Sequence, residues 1–207
     1  GPVVARRAML VLLAHMAPEL GRIGPIVLRT YSVLLGLAVL AGLASLAWQG
    51  RRVDRRPSAW LDAGLLALVT GVVGGRLAHA AINWAYFSQH PAEIVRLWQG
   101  GLSWHGAVVA GLGGLLLGCR LRRVDWRQAA DALVFALPLG AVLVYAGCLA
   151  DRCAHGREVA TLADYPPLVV AELPDLYGVA APRLASQLFG IGLSLMLLAA
   201  AWLLTRL

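Results

Sequence analysis

The residues best placed to do chemistry lie in one apolar stretch, 74–114, and His105 is the first of them. An imidazole titrates near neutral pH, so His105 can take a proton from a thiol or a hydroxyl group. Ser103 lies two positions before it, and Gly106 leaves space beside it for a substrate. The pattern predicts a general base at His105, with Ser103 and Gly106 lining the site. The plainer alternative is an interfacial histidine bonded to water or to a backbone carbonyl oxygen.

Arg76 is a cation inside an apolar segment, where a charge is costly and usually marks a functional site. A guanidinium cannot deprotonate, so it needs an anionic partner, and its planar fork suits a carboxylate or a phosphate. His79 and Asn83 follow at helical spacing on the same face, with Gly75 beside them. This polar stripe predicts either a lipid-phosphate site or a structural seam between helices.

The other charged and polar residues indicate structure more than chemistry. Arg29 and Tyr31 lie near the outer end of the first apolar segment, where they would contact lipid head groups. Asp62 and Asp131 lie near the ends of their segments that are predicted to face the cytoplasm, and they are expected to be solvated. The mixed charges at 151–158 are typical of a solvated ion-pair patch.

The cysteines indicate neither metal nor redox chemistry. They lie at positions 119, 148 and 153, without the Cys-x-x-Cys spacing of zinc and redox sites. We therefore expect no disulfide framework, no metal and no cofactor.

The composition is that of an integral membrane protein. Of 207 residues, 59% are hydrophobic and 14% are charged, whereas a soluble domain is nearer a quarter charged. The net charge is +7 and every basic side chain is arginine. Nucleic-acid binding is not expected, because no soluble domain with a basic face is visible. The arginine clusters lie between apolar segments, where they meet anionic lipid head groups.

Five segments are long and apolar enough to cross a bilayer, which takes about 20 residues. They predict an all-α fold and a single membrane domain over residues 1–207. No strand pattern, internal repeat or nucleotide-binding motif is visible. The chain begins with Gly1 and Pro2, and residues 3–17 lack the cleavage site of a secretory signal peptide. The predicted spans are 26–48, 60–83, 103–119, 128–149 and 186–205.

The charges between the spans predict the orientation. The first and third connections carry the arginine clusters at 51–56 and 120–127, and the positive-inside rule puts these on the cytoplasmic side. The N-terminus and the long connections 84–102 and 150–185 then face outward, and the C-terminus faces inward. Aromatic residues in 84–102 favour the head-group layer. The proline-rich 150–185 predicts an external loop, with or without a short interfacial helix.

Glycines are dense in the second and third spans. Gly71 and Gly75 are four residues apart, as are Gly114 and Gly118. This spacing permits two helices to approach closely. The same closeness can leave a lipid-sized groove beside the contact.

Several of these motifs resemble the bacterial prolipoprotein diacylglyceryl transferase family. The most specific is Gly100-Gly101-Leu102-Ser103-Trp104-His105-Gly106, preceded by Gln89-His90-Pro91-Ala92-Glu93-Ile94. The match covers most of residues 18–190. Further similar elements lie at 23–31, 75–77, 86–88, 97–99 and 186–189.

The resemblance implies an enzyme of the bacterial cytoplasmic (inner) membrane. Members move a diacylglyceryl group from phosphatidylglycerol to the lipobox cysteine of a prolipoprotein. His105 would lie near the thiol, and Arg76 and Tyr31 would surround the lipid. The partners would be a phosphatidylglycerol-like phospholipid and a prolipoprotein. These three residues would face one outward-opening cavity between the first three helices, lined by Gly75, Ser103 and Gly106. Asn83 would be a further lipid-binding residue.

The chain also departs from the family pattern, so a second function stays open. One alignment puts Tyr145 where the family keeps an essential arginine, Cys148 at an Asn/Cys position and Cys153 at a position often held by Glu. Five spans are predicted where the family typically has seven. These departures predict weak or undetectable transfer. The alternative is a catalytically degenerate member that serves as a structural, lipid- or pigment-binding subunit of a larger membrane complex.

Overall fold

The structure, a computed structural model, describes residues 18–24, 26–166, 169–174 and 179–204. Several positions used in the sequence predictions lie outside the described residues. These are Gly1 and Pro2, residues 3–17, Pro25, Pro167, Asp175 and position 205, the last of the fifth predicted span.

The described chain is predominantly helical. Five stretches are long and apolar enough to cross a membrane, which confirms the predicted number of spans. The fourth, Trp126–Asp151, consists of two helices interrupted at Val134 and Phe135. The helices are α1 (Thr30–Val53), α2 (Pro57–Ile82), α3 (Trp84–Phe87), α4 (Trp104–Arg122), α5 (Trp126–Leu133), α6 (Ala136–Asp151) and α7 (Ser186–Leu204).

Two short antiparallel hairpins correct the expectation of an all-α chain. Strands β1 (Glu19–Ile23) and β2 (Ile26–Arg29) precede α1. Strands β3 (Val170–Pro174) and β4 (Ala180–Leu184) lie in the 150–185 connection, where a loop or an interfacial helix was expected. Strands this short give little periodicity in the sequence, because few residues alternate between their two faces.

The chain divides into two compact units. Unit 1 comprises Gly1–Ala41 with Val134–Leu207, and unit 2 is Gly42–Leu133, so α1 contributes to both. The expectation of a single membrane domain stays a prediction.

In unit 1 the helices meet at small residues. A Cβ placed on Gly147 would lie 2.9 Å from the Tyr31 Cα atom, so α6 approaches α1 closely there. The Tyr145 ring packs directly on Gly190, which joins α6 to α7. These contacts leave no room for larger side chains at either glycine.

The loop between α6 and α7 is tied down more than the sequence indicated. Cys148 and Cys153 form a disulfide, which the spacing argument did not predict. In the patch at 151–158, Asp151 is less solvated than expected, whereas Arg152, Arg157 and Glu158 are exposed as expected. Asp151 is only 9% exposed at its side chain and lies 3.9 Å from Arg29, while Arg183 lies 3.7 Å from Glu158.

In unit 2 the glycines of α2 and α4 interlock along the two helices. A Cβ on Gly75 would lie 3.1 Å from the Ala107 Cβ atom, and one on Gly106 would lie 2.6 Å from the Gly74 carbonyl oxygen. Further along, a Cβ on Gly118 would lie 2.7 Å from the Ala63 Cα atom. The close approach predicted from glycine spacing is confirmed.

The end of unit 2 away from residue 105 holds an apolar core and two ion pairs. Arg56 donates to Asp54 at 2.9 Å, and Arg122 pairs with Asp62, which was expected to be solvated. Burial alone would raise the pKa of Asp54, but hydrogen bonds from Arg56 and Trp60 lower it overall. The core consists of Leu46, Trp60, Ala63, Leu115, Cys119, Val124 and Ala129.

Candidate functional site

Arg76 is the organising residue of the connection between α2 and α4. It is 5% exposed and projects from α2 into that connection. All five of its N–H donors face backbone carbonyl oxygens, rather than the carboxylate or lipid phosphate expected from the sequence. The Nε atom donates to Ile94 at 2.8 Å, Nη1 to Gly100 at 2.5 Å and Gly101 at 3.0 Å, and Nη2 to Glu93 at 2.6 Å and Arg96 at 3.3 Å.

Two glycines make this arrangement possible. Gly100 and Gly101 have φ angles of +81° and +78°, and the ψ of −161° at Gly100 belongs to a region used almost only by glycine. This backbone turns both carbonyl oxygens toward the Arg76 Nη1 atom. A Cβ on Gly101 would lie 2.6 Å from the His79 Nε2 atom, so the turn is seated directly on α2.

The ring of Phe87 packs against the Arg76 guanidinium. Phe87 is 5% exposed, and the Arg76 guanidinium carbon lies 5.3 Å from its ring centroid. The His79 ring meets Phe87 edge to face at 5.8 Å. Asn83 donates to the His79 carbonyl oxygen at 2.9 Å. Within the predicted polar stripe, Arg76 and His79 therefore contact the connection, whereas the Asn83 side chain bonds back to α2.

A second set of contacts braces the connection at its exposed side. The Tyr86 hydroxyl donates to the Glu93 carboxylate at 2.8 Å, and Arg96 lies 3.6 Å from the same carboxylate. His90 stacks on the Tyr86 ring with centroids 4.6 Å apart. The hydrogen bond to Glu93, with smaller contributions from desolvation and the Glu93 charge, raises the pKa of Tyr86.

His105 lies where this braced connection enters α4. The Ser103 N–H donates to the Gly75 carbonyl oxygen at 2.9 Å, which fixes the start of α4 against α2. His105 is the second residue of α4, and its side chain is exposed. Among the described residues, its ring makes no hydrogen bond. The imidazole is therefore held by its backbone and open to a reactant.

The structure brings together most, but not all, of the predicted site residues. Arg76, Gly75, Ser103 and Gly106 meet where α2 and α4 cross, although the space left by Gly106 is filled by α2. Tyr31 belongs to unit 1, where it packs on Gly147. The roles assigned to these residues in binding and catalysis stay predictions.

The carbonyl oxygens at 93–101 are the partners that sequence reasoning missed. Backbone acceptors carry no residue-type signal, so a search for a carboxylate or phosphate partner passes over them. The adjacent glycines at 100 and 101 were the available signal, because such a pair often provides positive φ angles.

The comparison with protein families decides the identity. A family model described as "Prolipoprotein diacylglyceryl transferase" matches residues 18–207. The chain belongs to this family. The family assignment covers both units and includes the Arg76 connection and His105.

Individual relatives agree with the family assignment. The phosphatidylglycerol–prolipoprotein diacylglyceryl transferase of Trichormus variabilis is 31% identical over 70% of the chain and 52% of its own length. That of Synechococcus sp. (strain CC9902) is 37% identical over 62% of the chain and 46% of its own length. That of Lactobacillus gasseri is 30% identical over 68% of the chain and 51% of its own length. The chain spans about half the length of these relatives.

Proposed function

We propose that this member of the prolipoprotein diacylglyceryl transferase family transfers diacylglyceryl from phosphatidylglycerol to a prolipoprotein cysteine, with His105 as the general base. The observation that carries the proposal is the exposed His105 at the junction of α4 with a connection braced by Arg76. A base needs access to its substrate and a fixed backbone, and this junction supplies both.

The proposed reaction is a proton transfer followed by a substitution at carbon. The His105 imidazole takes the proton of the lipobox thiol, and the resulting thiolate is the competent nucleophile. The sulfur attacks the glycerol carbon of the diacylglyceryl group that carries the phosphate ester. The carbon–oxygen bond breaks, a thioether forms, and glycerol phosphate leaves with the bonding electron pair.

Arg76 has the role of a positioning residue in this proposal. All five of its donors are used by the connection, so a phosphate would have to displace a carbonyl oxygen to reach the guanidinium. Its contribution to catalysis is to hold residues 93–101, and through them the start of α4. The Asn83 side chain bonds to the His79 carbonyl oxygen in the last turn of α2, and Tyr31 keeps the lipid-contacting role that the family resemblance implies.

The proposed location is the bacterial cytoplasmic membrane, with the His105 end of unit 2 facing outward. The arginine-rich connections at 51–56 and 120–127 support this orientation through the positive-inside rule. The N-terminus would then lie outside and the C-terminus inside. A lipobox cysteine on the outer side would meet the site directly.

Complementation tests the proposal in cells. A bacterial strain depleted of its own transferase should regain growth and prolipoprotein modification when this chain is expressed, and His105→Ala should abolish the rescue. His90→Ala is the matched control, because His90 is also exposed in this connection and, among the described residues, its ring contacts only Tyr86, by stacking and by a hydrogen bond to the Tyr86 carbonyl oxygen. Absence of rescue by inserted wild-type chain, or equal rescue by His105→Ala, would contradict the proposal.

A further inference from the structure

A groove lies at the end of unit 2 away from His105, outside the site described above. Its volume is about 420 Å³, within the range of small-ligand sites. The groove is formed by the last turns of α4 and the start of α5. It is lined by Gly113, Leu116, Leu117, Cys119, Arg120, Val124 and Trp126.

The lining changes from apolar to cationic along α4. Leu116 and Leu117 are 44% and 50% exposed, and they belong to a helix long and apolar enough to span a membrane. Arg120 follows one turn later, and Trp126, the first residue of α5, also lines the groove. The two leucines match the acyl chains of a bilayer lipid, the arginine matches its phosphate, and the tryptophan matches the membrane interface.

The positive charge of Arg120 in the groove indicates an anionic head group. Within the residues that the structure describes, no carboxylate pairs with Arg120, whereas the neighbouring Arg122 pairs with Asp62. Asp125 is close in sequence, but its carboxylate accepts the Arg127 backbone N–H at 2.9 Å and caps the start of α5. Among the residues that the structure describes, the Arg120 cation in the groove therefore has no anionic partner.

We propose that this groove binds an anionic phospholipid, with one acyl chain along Leu116 and Leu117 and the phosphate at Arg120. The site is separate from the reaction site and does not depend on transferase activity. An arginine at a membrane surface favours an anionic over a zwitterionic lipid by about 1 kcal/mol, which corresponds to about fivefold.

Quenching of Trp126 fluorescence by lipids with brominated acyl chains tests the proposal. The protein is placed in nanodiscs, and the Trp126 signal is the difference between wild type and Trp126→Phe. Brominated phosphatidylglycerol should reach Trp126 with about fivefold preference over brominated phosphatidylcholine. Arg120→Gln should remove that preference, and because Arg120 is exposed the variant should fold normally.

Two further variants separate the groove from general surface charge. Arg51→Gln removes a charge from the same end of unit 2 but outside the groove, and it should leave the preference unchanged. Gly113→Leu should reduce quenching by both lipids, because a side chain at Gly113 meets no atom within 4 Å and would extend into the groove. The proposal is overturned by equal quenching from both lipids, by equal losses in Arg120→Gln and Arg51→Gln, or by absence of quenching in wild type.

Discussion

At the scale of single residues, the Arg76 guanidinium couples a helix to the connection that follows it. All five donors of this buried cation bond to backbone carbonyl oxygens, so its role depends on the shape of the guanidinium as much as on its charge. In the proposed function, Arg76 therefore contributes to the site without touching a substrate.

Arg76→Lys should destabilise the protein and slow transfer. An ammonium has three donors, so at least two of the five carbonyl oxygens would lose their partner. The expected loss is about 2–4 kcal/mol in the free energy of unfolding, together with faster proteolysis within 93–101. Arg96→Lys is the control, because Arg96 is exposed and its pairing with Glu93 should contribute at most about 1 kcal/mol. Equal stability of the two variants would exclude the bracing role.

Tyr86 provides a test that depends on pH. Its folded pKa is raised, so its contribution to stability is complete below the ordinary tyrosine pKa of about 10 and is lost as pH rises through the folded value. The difference in ultraviolet absorbance between wild type and Tyr86→Phe should titrate above that ordinary value. Glu93→Gln, which removes the accepting carboxylate, should move the titration back down. A Tyr86 that titrates at or below its ordinary pKa would contradict the hydrogen bond.

At the scale of elements, the crossing of α2 and α4 depends on glycines, which have no side chain to keep the two helices apart. Gly106→Ala should push the helices apart, because the new Cβ would lie 2.6 Å from the Gly74 carbonyl oxygen. We expect a loss of about 1–3 kcal/mol in stability and a displaced His105. Gly113→Ala on the same helix meets no atom within 4 Å and should be neutral or stabilising by up to about 1 kcal/mol. Chemical denaturation of both variants measures the difference, and a neutral Gly106→Ala would refute close packing.

The membrane-spanning helices could be predicted from the sequence, but several local contacts that fix the connections between them could not. The five spans follow from hydropathy, because a bilayer demands long apolar helices, and Gly71 and Gly75 correctly indicated a close helix contact. The partners of Arg76 were not predictable from residue types, because they are backbone carbonyl oxygens, two of them placed by the turn at Gly100 and Gly101. The Cys148–Cys153 disulfide also escaped prediction, because one local bridge across a helix end has no framework spacing.

At the scale of the whole molecule, the two ends of unit 2 have different chemistry. One end presents His105 and the connection braced by Arg76, and the other presents a cationic groove around Arg120. In a membrane these ends would meet opposite leaflets if the arginine clusters face the cytoplasm.

Cysteine labelling tests that orientation. In a background with Cys119 replaced by Ala, a membrane-impermeant thiol reagent added outside intact cells should label a cysteine introduced at Asp164. The same reagent should fail to label a cysteine at Arg55 until the cells are permeabilised. Labelling at Arg55 but not at Asp164 would reverse the proposed topology.

The central claim is that His105 acts as the base of a diacylglyceryl transfer, and the direct measurement is the mass of a lipobox peptide. Purified chain in phosphatidylglycerol nanodiscs should add one diacylglyceryl group to the peptide cysteine. His105→Ala should slow this addition by about 10²–10⁴-fold, as expected for loss of a general base, while His90→Ala leaves it unchanged. Equal rates for wild type and His105→Ala, or no addition by folded wild-type chain, would contradict the account.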